Sequence, residues 1–188
     1  PEIQKMAEVS EKTVTEVLTL LKKAGQETLP GGGSEVLSDR VRHRLSRLWP
    51  KGTVKDWVDV HRAAHKLGYR TTATMMYGHV ETPEDVIEHL EHTRSLQDEA
   101  ISNELEGFTA FIPWSYKRGD TPLAKMVEME AGPNPYLRMI AMSRIYLDNI
   151  KHIQASWFSE GKKTGEVALN FGGDDFGGTL FDENVMQE

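Results

Sequence analysis

The residues of this chain able to do chemistry gather where β-rich runs give way to polar turns. The densest group lies in Arg70–Asp85, reading RTTATMMYGHVETPED, where Tyr77, Gly78, His79 and Glu81 follow an apolar, threonine-rich stretch. An imidazole and a carboxylate on either side of a turn serve as an acid–base pair or as a grip on a sugar hydroxyl. The plainer role, a structural or solvated histidine, outweighs these on the residues alone. Pro30-Gly31-Gly32-Gly33-Ser34-Glu35 stands between a short β-run and a helix. Glycines there let a ligand approach the backbone, and a helix start attracts anions. The run lacks the spacing of a P-loop or a dinucleotide fingerprint, and a turn without ligand has equal standing. Glu35 is either an acid in a cleft or a first-turn carboxylate suited to the helix dipole.

Two further groups are weaker. Trp114, Tyr116, Lys117 and Arg118 follow a strand and could clamp an anionic or aromatic ligand, or simply form an amphipathic loop. Asp174, Asp175 and Thr179 lie in a glycine-rich run, where carboxylates bind ligand hydroxyls or make Asx-turns. His61 and His65 have zinc-competent i, i+4 spacing, but Arg62 and Lys66 beside them point to a solvated face. His89 and His92 sit among Glu88 and Glu91 and read as surface. No metal site is expected.

These groups need elements to hold them. The patterning predicts helices over Ser10–Ala24, Glu35–Leu48 (broken by Trp49–Gly52), Thr53–Leu67, Thr82–Gln97, Tyr136–Leu147 and Lys163–Asn170. Ser10 is the expected cap of the first, and Thr82 with Pro83 opens the fourth, which turns Val86, Ile87 and Leu90 inward. Strands are expected at Gln26–Leu29, Tyr69–Met76, Phe108–Ile112 (ended by Pro113) and Ile150–Ala155, with Asp98–Glu106 a loop or helix extension and Trp114–Pro135 a long connection. Helices alternating with strands imply an α/β protein with parallel strands and flanking helices. Polar residues at strand ends are where such sheets keep their sites. Four strands do not close an eight-stranded barrel of about 250 residues, so the expectation is part of a barrel or a small open sheet.

Composition narrows the function. The 188 residues carry a net charge of −7, which disfavours nucleic acid and anionic membranes as partners. No apolar run reaches the roughly 20 residues of a membrane span, and no leader is visible, so a cytoplasmic location is expected. There is no cysteine, which excludes disulfides, thiolate zinc, cysteine nucleophiles and cysteine-held clusters within this chain.

The segments LPGGGSEVLSDRVR, GYRTTATMMYGHVETPED, GFTAFIPWSYKRGDTPL and SWFSEGKKTGEVALNFGGDDFGGTLFDENV together resemble the cyclic dehypoxanthinyl futalosine synthases of menaquinone biosynthesis. These are radical S-adenosylmethionine enzymes, similar to aminofutalosine synthase and to the deazaflavin-cofactor synthase. The resemblance implies a (β/α) TIM-type barrel, a [4Fe-4S] cluster and S-adenosylmethionine. It implies a 5′-deoxyadenosyl radical that takes hydrogen from the ribose part of a nucleoside-derived small molecule, followed by ring closure. TATMMYGHVE loosely occupies the place of the superfamily's G-x-I-x-G-x-x-E run, with Gly78 and Glu81 matching. On this basis Glu35 and His79 are the catalytic candidates. Tyr77, Gly78, Glu81, Gly31, Gly32 and Gly33 are assigned to the cofactor, and Trp114, Arg118, Asp174, Asp175 and Thr179 to the substrate.

The chain departs from the family in two ways. It lacks the Cys-x3-Cys-x2-Cys loop that holds the cluster, and its EAISNELE link (Glu99–Glu106) is longer. The expectation is a single domain over 1–188, an incomplete barrel whose first strands and cluster loop precede Pro1 and whose last segment follows Glu188. Such a chain is inert alone. Two other readings stay open: a half-barrel module that pairs with the missing half, or self-associates through strand edges, and a cysteine-free acid–base enzyme using Glu35 and His79.

Overall fold

The computed structural model describes residues 2–46 and 52–178. Its framework is a four-stranded parallel sheet in the order β1-β2-β3-β4, the strands being Thr28–Leu29, Arg70–Tyr77, Phe108–Ser115 and His152–Ile153. Helices α1 (Glu2–Val9) and α2 (Val14–Lys23) precede β1. Helices α3 (Asp39–Leu45) and α4 (Val54–Lys66) lead to β2, α5 (Pro83–Ser102) to β3 and α6 (Pro133–Tyr146) to β4. The short helices α7 (Trp157–Glu160) and α8 (Lys162–Ala168) follow. This is the expected α/β alternation, consistent with part of a TIM-type barrel.

The pleat separates two faces. On β2, Thr71, Ala73, Met75 and Tyr77 are buried, whereas Thr72, Thr74 and Met76 are half-buried. Ala73, Met75 and Tyr77 join Phe111 of β3, Leu90 and Leu96 of α5 and Ile140 of α6 in the main core. Thr72, Thr74 and Met76, with Ile112 and Trp114 across the strand pair, form the open face. A second core joins α1, α2 and α4 around Leu18, Val60 and Tyr69, whose hydroxyl donates to the Leu18 carbonyl at 2.7 Å.

Several expectations are corrected. Helix α2 is capped by Thr13, not Ser10, through a capping box with Glu16; Ser10 instead bonds back to Met6 at the end of α1, a helix the patterning did not suggest. Helix α3 begins at Asp39, so Glu35 lies outside it. The predicted end at Leu48 and the breaker Trp49–Lys51 fall outside the described residues. Ile87 is exposed, leaving Val86 and Leu90 as the inward pair. Asp98–Ser102 continues α5. Strand β3 passes through Pro113, because β4 pairs only with Ala110 and Phe111, and the missing N–H forfeits no ladder bond. The Pro113 carbonyl, on the β4 side, accepts from Ser156 Oγ at 2.9 Å. Strand β4 is shorter than Ile150–Ala155, with Gln154 bridging instead to Asp175. Helix α7 was not foreseen, and α8 stops at Ala168.

The histidines differ most. His61, His65 and His89 are all buried. His61 packs at a tilt against Trp57 with ring centroids 4.0 Å apart, and His65 meets the edge of Phe108 at 4.9 Å. His65 Nε2 lies 2.7 Å from Thr71 Oγ1, and His89 Nδ1 accepts from the Leu37 N–H at 2.9 Å. Of the histidines read as surface, His92 alone is half-exposed, 3.7 Å from Glu88.

One buried carboxylate aligns the two loops that matter. Asp85 closes the capping box of α5 with Thr82, and also accepts from Ser38 Oγ at 2.7 Å and from the Arg40 guanidinium. Arg40, with Ser38 and Thr82, holds the Asp85 carboxyl well below the usual carboxylate range. Asp85→Ala removes its half of the capping box and strands the Ser38 and Arg40 donors, and should cost about 3 kcal/mol in urea unfolding. A loss below about 1 kcal/mol would show that the cap alone matters.

Candidate functional site

The C-terminal ends of the parallel strands form one rim, built from the loop after β1, the turn after β2 and the segment after β3. The first of these, residues 30–38, is laid across β2. The Gly31 N–H donates to Thr72 Oγ1 at 3.0 Å, and Thr74 Oγ1 donates to the Gly31 carbonyl at 2.9 Å. Ser34, fully buried, donates to the Thr74 carbonyl and lies 3.0 Å from Thr74 Oγ1. The loop is clamped from below by Arg42, whose guanidinium donates to the carbonyls of Gly33 at 3.2 Å, Ser34 at 3.0 Å and Gly52 at 2.7 Å. Burial lowers the Arg42 pKa, opposed by the charges of Glu35, Asp39 and Asp56.

The three glycines are not equivalent. A Cβ on Gly31 would lie 2.1 Å from the Thr72 carbonyl oxygen, so this position is filled by the chain's own backbone. Gly33 takes φ of +78° to turn the chain. Gly32 has open space around it, where a ligand could reach the backbone. Glu35 is not a first-turn carboxylate. It sits at φ of +43°, a left-handed conformation unfavourable for a bulky side chain, with its carbonyl accepting from the Met76 N–H at 2.9 Å.

The turn after β2 is closed on itself. Glu81 accepts from the N–H groups of Gly78 and His79, the latter at 2.9 Å. His79 has a buried side chain, with Nε2 at 2.9 Å from the Met76 carbonyl and Nδ1 accepting from the Val80 N–H at 2.7 Å. Nδ1 also lies 3.0 Å from a Glu81 carboxylate oxygen. Both ring nitrogens are engaged, so His79 shapes the turn rather than presenting a free acid or base. Gly78 has φ of +84°, and a Cβ there would touch Ala131 at 3.1 Å. Tyr77 points away from the open face into the main core, correcting its assignment to a cofactor. Burial, with Glu160, Tyr136 and Glu81 nearby, pushes its phenol far up, so it stays protonated.

Trp114 lies on the open face beside Met76. Arg118 braces its own loop, donating to the carbonyls of Glu128 and Ala124, both at 3.1 Å. Asp174 is likewise engaged elsewhere, tying α6 to β4 through Arg144 at 2.8 Å, the Ile153 N–H at 2.8 Å and His152 at 3.2 Å. Asp175 makes an Asx-turn, accepting from the Gly177 N–H at 2.8 Å. Thr179 lies outside the described residues. The structure adds residues that sequence reasoning missed: Arg42, Thr72, Thr74, Ser115 and Glu160. The alternating Thr72–Thr74 pair on a strand was the one signal available. Among the described residues, no group of three or more His, Asp or Glu side chains could hold a metal ion, and no helix is long and apolar enough to cross a membrane.

A parallel sheet with flanking helices and a glycine-lined rim at its C-terminal end defines an α/β enzyme-type scaffold. The Radical SAM superfamily model matches residues 3–93, and the CofH/MqnC C-terminal region model matches residues 105–188. Cyclic dehypoxanthine futalosine synthase of Halalkalibacterium halodurans is 41% identical over 98% of this chain and 48% of its own length. Aminodeoxyfutalosine synthase of Thermus thermophilus is 37% identical over 98% of this chain and 48% of its own. A 5-amino-6-(D-ribitylamino)uracil–L-tyrosine 4-hydroxyphenyl transferase of Methanococcus maripaludis is 39% identical, covering 99% and 51%. The chain belongs to the radical SAM superfamily, within the group that carries the CofH/MqnC C-terminal region. These relatives are enzymes, and the chain spans about half the length of the curated relatives it matches.

Proposed function

We propose that this chain forms the cofactor- and substrate-facing part of a radical S-adenosylmethionine enzyme that cyclises dehypoxanthine futalosine. The observation that carries the reading is the 41% identity to the Halalkalibacterium synthase across nearly the whole chain, joined to a rim where Gly32 leaves backbone open to a ligand. Aminofutalosine and deazaflavin-type reactions are the neighbouring readings, since those relatives are nearly as similar.

The [4Fe-4S] group does not fit the residues present, because its thiolate ligands are absent from a sequence without cysteine. S-adenosylmethionine, when bound and reductively cleaved, supplies the 5′-deoxyadenosyl radical in this superfamily. The residues of this chain that would receive it are Gly32, by open backbone, and Glu35, whose carboxylate is the catalytic candidate on the same loop. Thr72 and Thr74 hold that loop in place, while Glu81 and His79 lock the neighbouring turn.

The backbone of Glu35 supports a role for its side chain. A left-handed non-glycine residue costs about 1 kcal/mol or more. Glu11 and Glu104 share this conformation only in exposed turns after helices. Glu35→Gly should therefore raise stability by about 1 kcal/mol, and both it and Glu35→Gln should cut turnover about 100-fold. Turnover is to be measured on the chain co-expressed with the span of the Halalkalibacterium synthase outside the match, after anaerobic iron and sulfide reconstitution. Full turnover in both variants would sink the catalytic role of Glu35. Failure of the two parts to assemble would sink the second reading, a half-barrel completed by a partner. That reading is favoured by the half-exposed Thr72, Thr74, Met76, Ile112 and Trp114 on a sheet of four strands.

A further inference from the structure

The end of β3 carries a buried ion pair. The Glu160 side chain is 2% exposed and that of Lys117 is 30% exposed. Glu160 Oε1 accepts from the Ser115 N–H at 2.9 Å and from Ser115 Oγ at 2.7 Å, while Oε2 faces Lys117 Nζ at 3.1 Å. Lys117 also donates to Ser115 Oγ at 2.8 Å. Glu160 reaches this place because α7 is anchored against the strand ends, with the Ser156 N–H donating to Tyr136 Oη at 2.6 Å and Ser156 Oγ to the Pro113 carbonyl.

A carboxylate so deeply buried is costly unless its oxygens are satisfied, and here strand end, hydroxyl and ammonium satisfy them. The consequence falls on Lys117. An ammonium has three donors, and two are engaged by Ser115 and Glu160. Among the described residues no other group takes the third, and Lys117 lies in the segment after β3, part of the strand-end rim. Its charge is already balanced by Glu160. A neutral oxygen is therefore a better partner than a second carboxylate, which would bring an unbalanced negative charge against Glu160.

We propose that Lys117 donates to a neutral hydroxyl or carbonyl oxygen of the ligand, of the kind a ribose carries, and that Glu160 is the positioning residue that aims it. This rests on the reading that the ligand binds at the strand-end rim. The test is reductive methylation of the intact chain, followed lysine by lysine by mass spectrometry, with calorimetry in parallel. Saturating dehypoxanthine futalosine should slow modification of Lys117 about tenfold and leave the other lysines unchanged, and acetate should not protect it. Calorimetric binding without protection of Lys117 would overturn the proposal and leave the rim reading standing. Absence of binding would overturn both. Equal protection by acetate would overturn the assignment to a neutral oxygen. Glu160→Gln should weaken binding about tenfold and speed Lys117 methylation in the absence of ligand, the worth of one hydrogen bond lost by misdirection. Unchanged affinity and unchanged methylation in Glu160→Gln would remove Glu160 from a positioning role.

Discussion

Lowering the pH from 7 to 5 should take about 6 kcal/mol from the folded state, most of the stability of an ordinary domain. The effect comes from His61, His65 and His89. Burial holds His61 down to about 3, with the charge of His65 adding to it, and holds His65 to about 4. Burial likewise holds His89 to about 3, with His92 and Arg42 adding. The unfolded chain binds protons on these rings below about 6.5, while the folded chain does not. Unfolding therefore takes up protons in that window, and stability falls as pH falls from about 6.5 toward 4. Each pH unit is worth about 1.4 kcal/mol per ring, so three rings lose about 2 kcal/mol each by pH 5. Urea unfolding at a series of pH values measures the slope directly. His61→Phe, which keeps an aromatic ring against Trp57, should remove about a third of it whatever its effect on absolute stability. A flat profile between pH 7 and 5 would mean that the rings are solvated or paired in the native state. The carboxylates act lower: the depressed Asp85 contributes stability above the ordinary aspartate range and loses it only as pH falls further.

Gly31→Ala is the second large effect. The added methyl would lie 2.1 Å from the Thr72 carbonyl oxygen, 2.7 Å from its carbon and 2.8 Å from the Ala73 Cα. These are backbone atoms of β2, paired on its far side with β3, so no side chain can swing away. Relief requires lifting the loop and breaking its bonds to Thr72 and Thr74. The cost should be about 3 kcal/mol or more, at the top of the range for overpacking. Gly32→Ala is the internal control. It meets nothing within 4 Å and should leave stability within about 0.5 kcal/mol, while blocking ligand approach. Paired denaturation curves decide the matter, and equal midpoints for the two variants would refute this packing of the loop on β2.

The glycine loop illustrates how far the sequence reached. Three successive glycines before a helix marked a place where backbone must pass close to something. Nothing local distinguishes Gly31, pressed on the chain's own strand, from Gly32, open to a ligand. That depends on Thr72, some forty positions away in sequence. The turn after β2 behaves similarly. Gly78, His79 and Glu81 were legible as a polar cluster, but hydrogen bonds within the turn make His79 and Glu81 its scaffold. The substrate candidates fared least well. Arg118 and Asp174 are satisfied by a nearby loop and a neighbouring helix, and such partners are invisible in a linear chain. Lys117 was noticed only as part of a loop, because its partner Glu160 comes from an element, α7, that periodicity did not reveal.

By itself the sequence determined the α/β alternation, the parallel strands, the cap at Thr82 and the likeness to the radical SAM enzymes. Each of these is written in local spacing or in contiguous motifs, which need no knowledge of the third dimension. Tertiary structure alone decided which polar residues are spent on the fold and which remain for a ligand. His61, His65 and His89 looked solvated because their sequence neighbours are charged. They are buried because α4 and α5 turn those faces onto Phe108 and Phe111 of β3. Burial is a property of what packs opposite, and the residues opposite come from distant parts of the chain.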